Sequence, residues 1–365
     1  MTDNKNKTSL THETVLYVNL KTLEDNFNYL KGLLNPSTKT VAVIKAYAYG
    51  LGDIEIAKKL ESLNVDYFWV ADFEEGVTLR KAGIKKPIII ANPGYKSFEK
   101  IIEYNLEPVI YNFKLLKIYG DLNVPVHLKF NTGMNRFGFD EEDLPGLIES
   151  LKQLPKLKIE SVCSHLSSSN LKENDAFSQL QMALFEKLHS SIEDVLDKKF
   201  PAHILNSNGV LRFSNTEEEM VRLGIAMYGI SKDKNLKQIS SLKSTISQIR
   251  IIKKGEFVGY SNSFRAKKEI KIAIVPIGYA DGLNRRLGEG SGKVLIQNKE
   301  CPILGQISMD SLVADVSGLS VKEGESVIIF SPKFSIVNIA DELNTIPYEI
   351  MATLNRRIKR VYFEE

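Results

Sequence analysis

The sequence predicts an α/β fold: a (β/α)8 TIM barrel followed by a mostly β C-terminal domain. Three observations predict it. From about residue 40 to about 225, eight short β-branched apolar runs alternate with longer amphipathic segments. The nearly continuous apolar character of those runs fits strands covered on both faces. From about residue 240 the helical period gives way to strand-like runs separated by Gly, Ser and Asn turns.

The barrel runs are TVAVIK ending at Lys45, DYFWVA from Asp66, PIIIAN from Pro87 and EPVIY from Glu107. VPVHLKF from Val124, KIESVCSH from Lys158, AHILNS from Ala202 and MVRLGI from Met220 complete the set. Between them lie helical segments. In GDIEIAKKLESL, Ile54, Ala57 and Leu60 line one face. FEEGVTLRKAG stops at Gly83, a C-cap residue. The longest helical candidate runs from Asn174 to Leu188, and the last connection has only NGVLRF to form a turn. An open doubly wound sheet is the alternative, because periodicity does not establish closure. Beyond the barrel, TISQIRIIKKGEFVGY, EIKIAIVPIGY, GKVLIQNKECPILGQ, ESVIIF and RIKRVYF read as strands, with IVNIADEL and YEIMATL as short helices. VLYVNL at Val15–Leu20 precedes the barrel and is placed with the β domain. The expected divisions are an N-terminal strand segment over 1–20, the barrel over 21–235 and the β domain over 236–365.

A chain of 365 residues exceeds the size at which one core keeps growing, which also argues for two domains. The formal net charge is only +3, and Lys and Arg are scattered between apolar positions. Neither a nucleic-acid nor a membrane partner is expected. The two cysteines, Cys163 and Cys301, form no disulfide framework, and no cluster has metal-ligand spacing. The polar start MTDNKNKTSLTHET lacks an apolar signal region, and the longest apolar runs are too short to span a bilayer, so a cytoplasmic location is expected.

Barrel active sites form at the C-terminal ends of the strands. Lys45 closes the first run, Lys129 and Arg136 follow the fifth, and His165 ends the sixth. Asn206 and Ser207 end the seventh, and Arg222 lies in the eighth, just before Gly224. Polar groups from distant positions thus converge on one rim. Singly they say less, since a strand-end lysine is usually a solvated end. Lys45 follows Ile44 in an apolar run, however, and desolvation favours the neutral amine that attacks an aldehyde. His165, among Cys163, Ser164 and Ser167–Ser169, is a better candidate than His12 or His189, while His127 is read as a barrel residue packed away from the mouth. Gly133 and Gly138 leave room near Arg136. RLGIAMYG at Arg222–Gly229 offers backbone N–H groups at Gly224 and Ile225 to a phosphate, although it equally reads as a loop closing the barrel.

At this point the chain resembles the alanine racemase family, fold-type III pyridoxal-phosphate enzymes, over nearly its whole length. The most specific match is AVIKAYAYGLG at Ala42–Gly52, similar to the family's lysine motif. HLKFNTGMNRFG from His127, SHLS from Ser164, LNSNG from Leu205, RLGIAMYG from Arg222, VGYSNSF from Val258, IVPIGYADGLNR around Val275, SMD at Ser308–Asp310 and PYE at Pro347–Glu349 follow in order. The resemblance implies that Lys45 binds pyridoxal 5'-phosphate as a Schiff base and acts as one catalytic base. Tyr49, Ser207, Gly224, Ile225 and Tyr348 would hold the phosphate, Arg222 the pyridine nitrogen, and His165 would lie close to the ring. Arg136 and the Met309 backbone would bind substrate, and Tyr279 and Tyr348 would line the entrance. Tyr260, from the partner in a homodimer with shared sites, would be the opposite base. Lys129 takes the place of a lysine carbamylated in some members.

The implied reaction interconverts L- and D-alanine and supplies D-alanine for peptidoglycan. Two positioned bases suit it, because a proton leaves one face of Cα and another arrives on the opposite face. The pattern departs from the family's at Tyr47, where asparagine is frequent, at Asn131, where aspartate is common, and at Ser308, where cysteine is. Ser167–Asn170 and the SNSF after Tyr260 also differ. Racemisation of serine or of several small amino acids is the alternative. A pyridoxal-phosphate decarboxylase lacks the required cysteine-acid motif here. The residues after the barrel, with Tyr260 and Met309, argue against a non-enzymatic cofactor-binding protein, and a cofactor-free Schiff-base aldolase would lack the absorbance band near ~420 nm expected of the Schiff base.

Overall fold

A computed structural model describes residues 11–213 and 219–365; the first ten residues of the expected N-terminal segment lie outside the described residues. The chain divides into two units. Among the described residues, one comprises Leu23–Ala48 and those between Asp53 and Leu236; the other comprises those up to Thr22, the four residues Tyr49–Gly52, and Lys237–Glu365.

The strand Val15–Asn19 (β1) belongs to the second unit. The first unit is built on β2 (Lys39–Val43), β3 (Tyr67–Val70), β4 (Ile88–Ile90), β5 (Glu107–Ile110), β6 (Pro125–Lys129), β7 (Lys158–Cys163), β8 (Ala202–His203) and β9 (Met220–Leu223). They form one parallel sheet in the order β8-β7-β6-β5-β4-β3-β2-β9. The Arg222 N–H donates to the Leu205 carbonyl at 3.0 Å, joining β9 to the chain just beyond β8 and closing the barrel. Ile88, Ile89 and Ile90 are all fully buried, which is why the run shows no alternation. The helices follow the amphipathic segments. Asp53–Ser62 buries Ile56, Ala57 and Leu60. Phe73–Lys81 is capped by Asp72, which accepts from the Glu75 N–H, and ends before Gly83 at φ 92°. The longest helix runs over Asp175–Leu196, past its expected end at Leu188. NGVLRF lies in a helix over Ser207–Phe213.

The second unit is mostly β. Here β1 pairs antiparallel with β10 (Ser240–Thr245) and parallel with β19 (Lys359–Phe363), so the two termini share a sheet. β15 (Lys293–Ile296), β16 (Lys299–Pro302) and β18 (Ser326–Phe330) complete six strands. A second sheet orders β11 (Gln248–Ile252), β14 (Ile270–Val275) and β17 (Leu312–Asp315), and β12 (Phe257–Val258) pairs with β13 (Phe264–Arg265). The segment Tyr49–Gly52 packs in this unit although it sits within barrel sequence. The Gly50 carbonyl accepts from Arg360 Nη2 at 2.8 Å, and the Leu51 carbonyl from Tyr362 Oη at 3.0 Å.

Candidate active site

Lys45 is not the last residue of its strand. β2 ends at Val43, and Lys45 opens a left-handed turn in which Ala46, Tyr47, Ala48 and Tyr49 have φ of 54°, 57°, 49° and 55°. Left-handed backbone costs a non-glycine residue on the order of 1 kcal/mol or more, so such a run persists only when its surroundings over-determine it. The Ala46 N–H donates to Glu75 Oε1 at 2.6 Å, and the other Glu75 oxygen accepts from the Ala71 N–H at 2.7 Å. Ala48 donates to the Ile44 carbonyl at 2.9 Å. Glu75 thus clamps the turn after Lys45, a role no motif indicates because it is set by a helix 30 residues downstream in the fold's connectivity rather than by local pattern. Glu75→Ala removes both acceptors, so a loss of about 1–3 kcal/mol in thermal unfolding is expected; a Tm equal to the parent's would show that the turn stands without it.

The barrel unit gathers the predicted cations. Burial, reinforced by Arg136 and Arg222, lowers the Lys45 ammonium below the usual lysine range, against the opposing pull of Glu75. Burial pushes Lys129 down to about 8, with Arg222, Arg136 and Lys45 adding to the effect. His165 is held far below the ordinary imidazole range by burial and these four cations, so its ring is neutral. Its Nδ1 accepts from Arg222 Nη2 at 3.1 Å. Arg222 is buried and also donates to the carbonyls of Ser164, His203 and Ile204 at 2.7, 3.0 and 3.0 Å. Ser207 Oγ accepts from the Gly224 N–H at 2.7 Å, with the Ala226 N–H at 3.5 Å, and Ile225 is buried between them in the chain. A lysine whose ammonium is lowered among cations, in a unit that also holds the Ser207 hydroxyl and the backbone amides at Gly224, fits an anionic phosphorylated aldehyde.

In the β unit, Tyr49 and Tyr348 stand with ring centroids 5.7 Å apart. Burial raises both phenols, Tyr348 to about 12. Tyr279 and Met309 come together on two touching turns: the Tyr279 N–H donates to Ser308 O at 3.1 Å, and the Ala280 N–H to Met309 O at 3.0 Å. A Cβ on Gly278 would lie 2.3 Å from Met309 O and 2.4 Å from Ser308 O. Gly278→Ala therefore forces these turns apart. Denaturant titration should register a loss of about 1–3 kcal/mol, whereas an unchanged midpoint would mean that the turns yield freely. Arg357 ties the same turns, with Nε 2.7 Å from Asp281 and Nη2 2.7 Å from Asp310. Tyr260 is 67% exposed at the start of the turn Tyr260–Asn262.

Two departures from the family pattern have local explanations. Asn131 donates to Asp140 Oδ1 at 2.7 Å and to Asn135 Oδ1 at 2.9 Å, bracing the loop that carries Arg136. The Ser308 hydroxyl lies 2.8 Å from both the carbonyl and the hydroxyl of Ser311, closing the turn that carries Met309. Elsewhere, His189 bonds the Phe200 carbonyl at 2.8 Å and is structural. Among the described residues no group of three potential metal ligands occurs, and no helix is long and apolar enough to cross a membrane.

A (β/α)8 barrel with this electropositive mouth, followed by a mostly β unit, defines an enzyme of the pyridoxal-phosphate-dependent class. Residues 18–232 match the pattern of the alanine racemase N-terminal domain, and residues 239–362 that of the alanine racemase C-terminal domain. The chain belongs to the alanine racemase family. It is 33% identical to alanine racemase 1 of Caldanaerobacter subterraneus subsp. tengcongensis, over 96% of this chain and 95% of that protein. Among solved structures, alanine racemase of Clostridium difficile superposes with a TM-score of 0.89 at 32% identity, covering 98% of this chain and 97% of that one. The Bartonella henselae alanine racemase, solved with covalently bound pyridoxal phosphate, superposes with a TM-score of 0.88 at 28% identity, covering 96% and 99%.

Proposed function

We propose that this chain interconverts L- and D-alanine with Lys45 and Tyr260 as the two bases, and that it supplies D-alanine for peptidoglycan. The observation that carries the reading is the lowered ammonium of Lys45 on a clamped turn among Lys129, Arg136 and Arg222. When bound, pyridoxal phosphate delocalises the negative charge left at Cα. Lys45 Nζ takes or returns the α-proton on one face, and Tyr260 Oη does so on the other. Arg136 and the Met309 backbone hold the substrate carboxylate. Ser207, Gly224, Ile225, Tyr49 and Tyr348 would hold the phosphate, His165 would lie close to the ring, and Tyr279 and Tyr348 would border the entrance. Arg222 would face the pyridine nitrogen; a guanidinium does not give up its proton, so this residue would leave that nitrogen unprotonated and weaken the electron sink.

The reading includes a homodimer in the cytoplasm. The 67% exposure of Tyr260 and the 53% exposure of Met309 in a single chain support a site completed by a second copy. Lys129, pushed down to about 8, has at neutral pH a fraction of the free amine that adds carbon dioxide, which supports carbamylation there. A chiral assay of the purified protein with pyridoxal phosphate against a panel of L-amino acids tests the substrate. The D-enantiomer should accumulate fastest from L-alanine; faster turnover of L-serine would transfer the assignment to the serine or broad-specificity reading.

A further inference from the structure

A line of buried polar side chains runs through the barrel unit from Arg222 to the opposite end of the strands. Arg222 Nη1 contacts His203 Nδ1. His203 Nε2 lies 3.0 Å from Ser161 Oγ, Ser161 Oγ 2.7 Å from His127 Nδ1, and His127 Nε2 2.9 Å from Glu107 Oε2. His203, Ser161 and His127 are completely buried, and only Glu107, the first residue of β5, reaches the surface, with 12% of its side chain exposed. Aromatic edges hold both imidazoles: Trp69 meets His203 at 5.9 Å and 83°, and Tyr67 meets His127 at 6.1 Å and 87°. The register pairs His127 with Ser161 across β6 and β7, next to an irregularity at Val126 that brings them level.

The chemistry of the two ends permits one order of protons. A guanidinium has donors and no acceptor, so His203 Nδ1 must accept, and the neutral ring carries its proton on Nε2. That proton goes to Ser161 Oγ. The hydroxyl proton then goes to His127 Nδ1, which places the His127 proton on Nε2, facing the Glu107 carboxylate. Every hydrogen is used, and the direction runs from cation to anion. The reverse order would set a His203 Nδ1–H against an Arg222 N–H. A protonated His127 would leave the buried Ser161 hydroxyl proton without an acceptor, at the cost that accompanies any buried unpaired donor.

We propose that Glu107, His127, Ser161 and His203 form a positioning wire for Arg222, in which Glu107 at the far end of the strands sets the single proton order that pins the guanidinium edge. The proposal rests on the reading of Arg222 as the group facing the pyridine nitrogen. Glu107 touches no reacting atom; it acts by keeping His127 an Nε2–H donor and so sparing Arg222 a competing tautomer.

The test has two arms. Nitrogen-15 NMR of the histidine rings, recorded on the full-length protein with and without cofactor, should show His203 and His127 neutral, with Nε2 protonated and Nδ1 accepting. Nδ1 protonation of either ring in the parent protein would overturn the wire, and since this arm needs neither catalysis nor a variant, such a failure leaves the racemase reading standing. In the second arm, Glu107→Leu should lower kcat about tenfold, as loss of an outer partner of a ligating group commonly does, with KM little changed and a mixed His127 tautomer. Glu107→Gln, which keeps an acceptor oxygen, should restore most of the loss. Ser161→Ala should match Glu107→Leu, and the double variant should lose no more than either. Independent, multiplying losses, or a Glu107→Leu variant with parental kcat, would overturn the proposal.

Discussion

Lys45→Ala is expected to abolish racemisation, lowering kcat by roughly 10³-fold or more, because one substitution removes both the proposed covalent anchor and one of the two proposed bases. The loss should be chemical rather than structural. The clamp on the turn is made by the Ala46 N–H and the Glu75 carboxylate rather than by the Lys45 side chain. Borohydride reduction followed by peptide mass spectrometry should find the cofactor attached to the peptide containing Lys45 in the parent and nowhere in the variant. Attachment at Lys129 instead would show that the wrong one of the two depressed lysines had been chosen.

Tyr260→Phe should lower racemisation by roughly 10²–10⁴-fold, the usual contribution of a positioned acid–base group, while cofactor retention stays as in the parent. In deuterium oxide the variant should still exchange the α-proton of one enantiomer, through Lys45, without inverting it. Racemisation of both enantiomers at the parental rate would remove Tyr260 from the mechanism. Because the proposed site takes Tyr260 from a second copy, co-expression of Lys45→Ala with Tyr260→Phe makes mixed dimers with one doubly altered and one intact site. About a quarter of all sites should then be intact if subunits pair at random in a two-fold dimer. No recovery would mean that both bases come from the same chain.

The strands of the barrel were legible because each is a short apolar run between amphipathic segments, a pattern that depends only on neighbours in the chain. Lys129, Arg136, His165, Ser207 and Arg222 could be placed on one rim for the same reason: each follows or ends such a run, and a closed barrel brings those ends together. Glu75 is not legible in the sequence, since FEEGVTLRKAG reads as an ordinary amphipathic helix and nothing in it signals that one carboxylate holds the turn after Lys45. His203 and Glu107 are equally silent; a histidine in AHILNS and a glutamate before a proline carry no pattern until the register of four strands aligns them.

The sequence by itself thus determined the fold class, the change from barrel to β domain and the residue types at the mouth, because these follow from local periodicity and from motifs read in order. Only the tertiary structure decided the left-handed course of Ala46–Tyr49, the passage of Tyr49–Gly52 into the β unit and the line of protons from Arg222 to Glu107. The physical reason is common to all three. Each is held by hydrogen bonds between groups far apart in sequence, and the direction of such bonds exists only once folding has set donor against acceptor.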